Sequence, residues 1–140
     1  MGNKEKGSKA ERELYDLFVN NGFRAVRVAG SGMMENTACD LIAGNKRAKY
    51  AIEAKSSKSP SKYITKEQIE QFIIFSEIFD LIPVVALRFN REGWLFISPS
   101  QLRDSGKNFV INLEDAKKHG KKLSQFFLNQ ASENLNQENL

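Results

Sequence analysis

Apolar positions near the start of the chain recur at helical spacing, with Ala10, Leu14, Leu17 and Phe18 on one side of a helical wheel. Ser8-Lys9-Ala10-Glu11 has the capping-box form ahead of them, so the pattern predicts a helix over Ser8–Asn20 that Asn21-Gly22 ends. Phe23–Val28 then alternates as a strand does, with Arg24 and Arg27 outside the apolar set. Ala29–Thr37 contains Gly30, Ser31 and Gly32 without any hydrophobic period and is expected to be a flexible loop. Two short strands follow, Ala38–Ala43 and Lys49–Lys55, with a hairpin signal at Gly44-Asn45.

Further on, Ser56–Lys62 is a polar, basic stretch containing Pro60 and is expected to be a loop, and Thr65-Lys66-Glu67-Gln68 forms a second capping box that opens a helix to about Phe79. Ile69, Phe72, Ile73, Ile74, Phe75, Ile78 and Phe79 cover more of that helix than the ~100° stripe a core-facing helix needs. One face is expected in the core and a second against another subunit. Ile82–Phe89 is almost wholly apolar and reads as a central strand, joined through Asn90–Gly93 to a further strand at Trp94–Ser98. Between Pro99 and Asn108 a short turn of helix or a loop is expected; Phe109–Ile111 reads as an edge strand, and Asn112 as the cap of a short helix that Gly120 interrupts before Leu123–Leu128. The order is that of a mixed α/β domain, a central β-sheet flanked by helices, spanning 1–128; residues 129–140 are polar, without period, and are expected to be a disordered tail.

Composition narrows the class. With 140 residues, 41% hydrophobic and 27% charged, the chain has room for one domain with a modest core. No apolar run approaches the ~18 residues of a membrane span, and the charged start carries no secretory pattern, so a cytoplasmic protein is expected. Cys39 is the single cysteine, which excludes an intramolecular disulfide and the cysteine-rich zinc frameworks. The net charge of +4 is unevenly spread: Met1–Lys62 holds 12 Lys+Arg against 7 Asp+Glu, while the remainder is nearly balanced. That asymmetry suits an anionic partner such as a phosphate backbone, and is equally compatible with a merely solvated basic face.

The informative constellation is Asp40 followed, after one hairpin, by Glu53-Ala54-Lys55. Alternation along a strand sends Glu53 and Lys55 to one face and Tyr50, Ile52 and Ala54 to the other. If the strand of Asp40 lies alongside, two carboxylates and an ammonium converge. Adjacent carboxylates repel, and the usual compensation is a hard divalent cation held by oxygen ligands. Such an ion polarises a phosphate oxygen and activates a bound water, while Lys55 can orient that water or stabilise developing charge. The bland rival is an ordinary surface pair of Glu53 and Lys55 on a half-exposed strand.

At Lys6–Leu14, Gly22-Phe23 to Arg27, Ala29–Gly32, Cys39–Gly44 and Ile52–Lys55 the sequence resembles the archaeal-type Holliday junction resolvases of the PD-(D/E)xK nuclease superfamily. The resemblance extends through Tyr63-Ile64, Lys66–Gln68, Phe75, Phe79, Ile82–Val84 and Gly93-Trp94, covering a nuclease core of about Lys6–Ser98, and is loose beyond Pro99. It implies a restriction-endonuclease-like nuclease fold and a structure-selective endonuclease acting on four-way DNA junctions. It further implies Mg²⁺ as the cofactor, with Mn²⁺ as a possible substitute, and Glu11, Asp40, Glu53 and Lys55 as catalytic residues, the three acids at the metal. Arg12, Arg27 and Ser31 are implied as DNA contacts, with Lys58 and Lys62 added from the basic loop; Phe72, Phe75 and Phe79 are expected at a homodimer interface. Cys39 stands where the motif's name has proline, a position that ligates nothing.

Symmetry favours the dimer, because two active sites about a two-fold axis can nick a two-fold branched substrate in paired, symmetric fashion. Two rivals remain open from sequence: a restriction-like or repair endonuclease of the same superfamily, and a DNA-binding protein that keeps the fold without cutting. The cellular setting expected is the nucleoid, or the host cytoplasm if the source is viral; no recruiting protein is legible.

Overall fold

The structure, a computed structural model, describes residues 3–28 and 39–128. Helix α1 runs over Asn3–Asn20, then strands β1 (Arg24–Arg27), β2 (Leu41–Gly44), β3 (Lys49–Ser57) and β4 (Ser61–Thr65) precede helix α2 (Lys66–Ile78). Strands β5 (Ile82–Phe89) and β6 (Gly93–Ile97), a 3₁₀ turn at Pro99–Gln101, β7 (Arg103–Asp104), β8 (Asn108–Asn112), α3 (Leu113–His119) and β9 (Lys121–Lys122) follow. Residues 123–128 are helical.

The central sheet has the order β1-β2-β3-β5-β6-β9. The hairpin of β2 and β3 is antiparallel, with Leu41 opposite Ile52, and the Asn45 side chain accepts from the backbone N–H groups of Arg47 and Ala48 in its turn. β3 and β5 are parallel, with α2 as their crossover, and β5 is the central apolar strand expected. Helix α1 ends as its sequence suggests: Gly22 takes φ +86°, the amide of Phe23 bonds the carbonyl of Phe18 at 3.0 Å, and that of Gly22 bonds Val19 at 3.2 Å.

The sheet has two different faces. On the α1 side Leu14, Phe18, Phe23, Tyr50, Ile52, Phe96, Phe126 and Phe127 make one buried cluster; on the α2 side Ala51, Ile64, Ile69, Phe72, Val85, Leu87 and Ile111 make another. Alternation along β3 separates the two, as expected for Tyr50 and Ile52 against Ala51. Phe126 and Phe127 lie beyond the stretch covered by the sequence resemblance and still complete the α1-side core.

Several expectations are corrected. Helix α1 begins at Asn3, so Ser8 lies within it and is not its N-cap; Lys4, Glu5 and Lys6 are good helix formers, and extending through Gly7 costs only about 1 kcal/mol. The stretch Ser56–Lys62 is a loop only at its middle, because β3 continues to Ser57 along β5 and Ser61-Lys62 open β4. Phe109–Ile111 is not at an edge: β8 is the middle strand of a second, three-stranded sheet of order β4-β8-β7. Gly120 does end α3, and a side chain there would collide with the carbonyl of Ala116 and with Ile97. The loop Ala29–Thr37 and the tail 129–140 lie outside the described residues. Among the described residues no helix is long and apolar enough to cross a membrane.

Candidate active site

The candidate site forms where β1 ends and β2 begins, an end of the sheet past which β3 and β5 run on. Asp40 directly precedes β2; its amide donates to the Ile52 carbonyl at 3.0 Å, and its carbonyl accepts from Val28 at 3.0 Å. These bonds extend the hairpin register by one step and place Asp40 beside Glu53. The Asp40 carboxylate also accepts from the Ala54 amide at 2.9 Å, which fixes its side chain against β3. Each neighbour therefore comes from backbone pairing, and the hairpin expected from Gly44-Asn45 is what delivers it.

Glu53 is 6% exposed and stands with Ser76 as the buried polar residues of the described chain. Its carboxylate is 3.2 Å from the Lys55 ammonium and accepts from the Gln68 side-chain amide at 2.8 Å. Burial pushes its pKa up from 4.5 to about 7, with the Asp40 charge adding to the rise and Lys55 and Gln68 opposing it. A buried carboxyl beside a second carboxylate is under-compensated by one ammonium. The donor set is hard oxygen, so Asp40 and Glu53 fit a divalent cation such as Mg²⁺, with water and substrate oxygens filling the remaining positions.

In the sequence Gln68 belongs to a capping box and to the stretch of family resemblance, and neither assigns it a place in the site. Thr65 does cap α2, accepting from the Gln68 amide at 3.1 Å, but the Gln68 side chain turns away from the cap to Glu53. Its position at the third residue of the helix gave a complete local explanation that concealed the second role. Cys39 is buried, and burial pushes its thiol up to about 12, so it is an inert filler beside Asp40.

The other expected residues are distributed around this core. Glu11 pairs with Arg27 at 3.0 Å, bringing those two together on the α1 side of the sheet, whereas alternation sends Glu53 to the α2 side. Among the described residues no three His, Cys, Asp or Glu side chains form a metal-holding group, so Glu11 is not gathered with Asp40 and Glu53 into one. Arg12 is exposed on α1, Lys58 is exposed between β3 and β4, and Lys62 donates to the Ser56 carbonyl at 3.3 Å, just past Lys55. Ser31 lies outside the described residues.

The aromatic residues of α2 divide. Phe72 is 1% exposed and belongs to the α2-side core, so it is corrected from the expected interface set: at this position the helix faces Val85 and Leu87. Phe75 is half-buried and Phe79 is 60% exposed, their rings 4.7 Å apart, and Ile74, Ile78 and Ile82 extend the same uncovered apolar surface.

Comparison with known proteins follows this geometry. The family model described as archaeal Holliday junction resolvase (hjc) matches residues 2–134. The chain is 47% identical over 107 residues to a crossover junction endodeoxyribonuclease Hjc of Methanocaldococcus jannaschii, covering 76% of each. It is 38% identical over 109 residues to the protein of that name from Archaeoglobus fulgidus, covering 78% of this chain and 80% of the other. The solved structure of Archaeoglobus fulgidus Hjc, a Holliday junction resolvase from an archaeal hyperthermophile, superposes with a TM-score of 0.78 at 32% identity, covering 87% of this chain and 95% of that one. A match that spans nearly the whole chain in sequence and in fold makes this protein a member of the archaeal Holliday junction resolvase family.

Proposed function

We propose that the protein is a Mg²⁺-dependent endodeoxyribonuclease that resolves four-way DNA junctions by paired, symmetric nicks, acting as a homodimer on DNA in the cytoplasm. The observation that carries the reading is the buried Glu53, packed beside Asp40 and bonded to both Lys55 and Gln68, in a chain of this family. Burying a carboxyl next to another carboxylate costs stability, and a ligand that uses the pair would offset that cost.

Asp40 and Glu53 would hold the metal, with Glu11 as an outer acid. When bound, the ion supplies a water of lowered pKa and neutralises charge on the scissile phosphate. Lys55, tied to Glu53, would orient an attacking water or stabilise charge on a phosphate oxygen. Gln68 holds Glu53 by its Oε1 atom, leaving the other carboxylate oxygen for the ion. Arg27, steadied by Glu11, along with Arg12, Lys58 and Lys62, would hold phosphates of the bound DNA in register. The apolar surface of Phe75, Ile78 and Phe79 is suited to a second copy, which gives the two-fold pair of sites a junction requires.

The test is an end-labelled immobile four-way junction incubated with the protein in Mg²⁺ or in EDTA, beside plain duplex. Symmetric nicks on opposing strands that need the metal are expected, with Asp40→Ala cutting slower by roughly 10³-fold while still binding the junction. Equal rates on plain duplex would refute junction selectivity, and undiminished cutting by Asp40→Ala would refute the assigned site.

A further inference from the structure

Helix α1 is braced to the sheet by two carboxylates two positions apart. Residues at i and i+2 lie about 200° apart around a helix, so their side chains leave on opposite flanks. Glu11 reaches Arg27 of β1 at 3.0 Å on one flank, and Glu13 reaches Arg88 of β5 at 3.2 Å on the other. The second brace is more tightly set than an ordinary surface pair. Trp94 of β6 is 5% exposed, and its indole N–H donates to the other oxygen of Glu13 at 2.9 Å. A buried indole N–H needs an acceptor, so Trp94 fixes the Glu13 carboxylate, and the carboxylate in turn aims the Arg88 guanidinium.

The position of Arg88 matters as much as its orientation. In the parallel register of β3 and β5, Lys55 lies opposite Leu87 and Ser56 opposite Arg88, so Arg88 emerges one step beyond the site lysine at the same end of the sheet, on the α1 face where Lys55 takes the α2 face. Its side chain is 46% exposed. An ion pair that open to water contributes only about 0–1 kcal/mol, which leaves stability a weak reason for such careful orientation. A guanidinium has five donors in a planar fork and matches a phosphate by two parallel bonds; one edge held by Glu13 leaves others to face solvent.

We propose that Arg88 is a DNA-phosphate contact, oriented by Glu13, on the flank of α1 opposite Arg27. The proposal rests on the junction-cleaving reading above and adds a path for the DNA across the end of the sheet, from Arg27 past Lys55 to Arg88. Strands β2 and β3 separate the two arginines. At a strand spacing of ~4.8 Å this is roughly 14 Å sideways, so they engage different phosphates. Glu13 acts through Arg88 and is a positioning residue.

The experiment measures binding of an immobile four-way junction in EDTA across a series of KCl concentrations, for the full chain and for Arg88→Ala, Arg88→Lys and Glu13→Gln, with thermal unfolding alongside. Losing one phosphate contact lowers the slope of log K against log salt by about 0.9. Arg88→Ala is expected to show that loss of slope and about tenfold weaker binding; Arg88→Lys keeps the slope. Glu13→Gln, which retains the charge of Arg88 but loosens its orientation, keeps the slope and the melting temperature and weakens junction binding about threefold, a loss absent when the same substitution is made on Arg88→Ala. Arg88→Ala with unchanged affinity and slope overturns the proposal, as does an Arg88→Ala that matches Glu13→Gln in every readout, the behaviour of a structural brace. Wild-type protein that fails to bind the junction would instead overturn the proposed function, and this inference with it.

Discussion

The two faces of the central sheet have been built to different ends. On the α1 side, Phe18 is fully buried and meets the rings of Phe23, Tyr50, Phe96, Phe126 and Phe127 at centroid distances of 5.1 to 6.4 Å, and every member of the cluster is apolar or aromatic. On the α2 side the cluster of Ile69, Phe72, Val85 and Leu87 stands against a buried carboxyl, Glu53, at its edge. The first face maximises burial and edge-to-face ring contacts, which stabilise without polar cost. The second accepts the desolvation of a carboxylate, a cost that the proposed catalytic role would account for. One strand, β3, serves both: Tyr50 and Ile52 face the aromatic cluster, and Glu53 and Lys55 the site.

That contrast can be broken first where it is strongest. Phe18→Ala removes the ring at the centre of the aromatic face and is expected to cost about 4 kcal/mol, read by denaturant unfolding, with no specific effect on the pH dependence of stability. The opposite sign is expected at Glu53. Its raised pKa means that the folded chain holds the proton more tightly than the unfolded one, so the stability this group contributes is present below about pH 4.5 and lost as pH rises towards about 7. Glu53→Gln should therefore be more stable than wild type at pH 8 in EDTA, by roughly 2 kcal/mol, and lack the fall between those pH values. Added Mg²⁺ should stabilise wild type and leave the variant unmoved; a variant less stable than wild type at pH 8 would show that Glu53 holds the α2 face together. The smallest effect is expected on the outer surface of α2. Phe79→Glu should weaken self-association about tenfold, read by sedimentation, while leaving protomer stability within about 0.5 kcal/mol. Phe79→Glu with an unchanged dimer would place the second subunit elsewhere.

Much of the site was legible because its geometry is local. Asp40, Glu53 and Lys55 are joined by a single hairpin, and strand alternation then decides which side chains share a face. The sites that escaped are those assembled across elements. Gln68 had a sufficient local role at the start of α2; Glu13, Arg88 and Trp94 come from a helix and two strands far apart in sequence, and none carries a pattern of its own. Phe72 was grouped with Phe75 and Phe79 by helical spacing, which tells which residues share a stripe and not which part of a wide stripe meets the core.

The sequence by itself determined strands β1, β2, β3, β5 and β6, the hairpin that brings the acids together, the apolar breadth of α2 and the family resemblance, because each depends on short-range spacing and side-chain chemistry. Tertiary structure alone decided that Ser61–Thr65 leaves the central sheet to pair with Asn108–Asn112, that Phe126 and Phe127 close the aromatic core, and that Glu11 faces Arg27. Those choices depend on which distant segments compete for the same backbone donors and the same apolar surface, and such competition is settled only when the whole chain has packed.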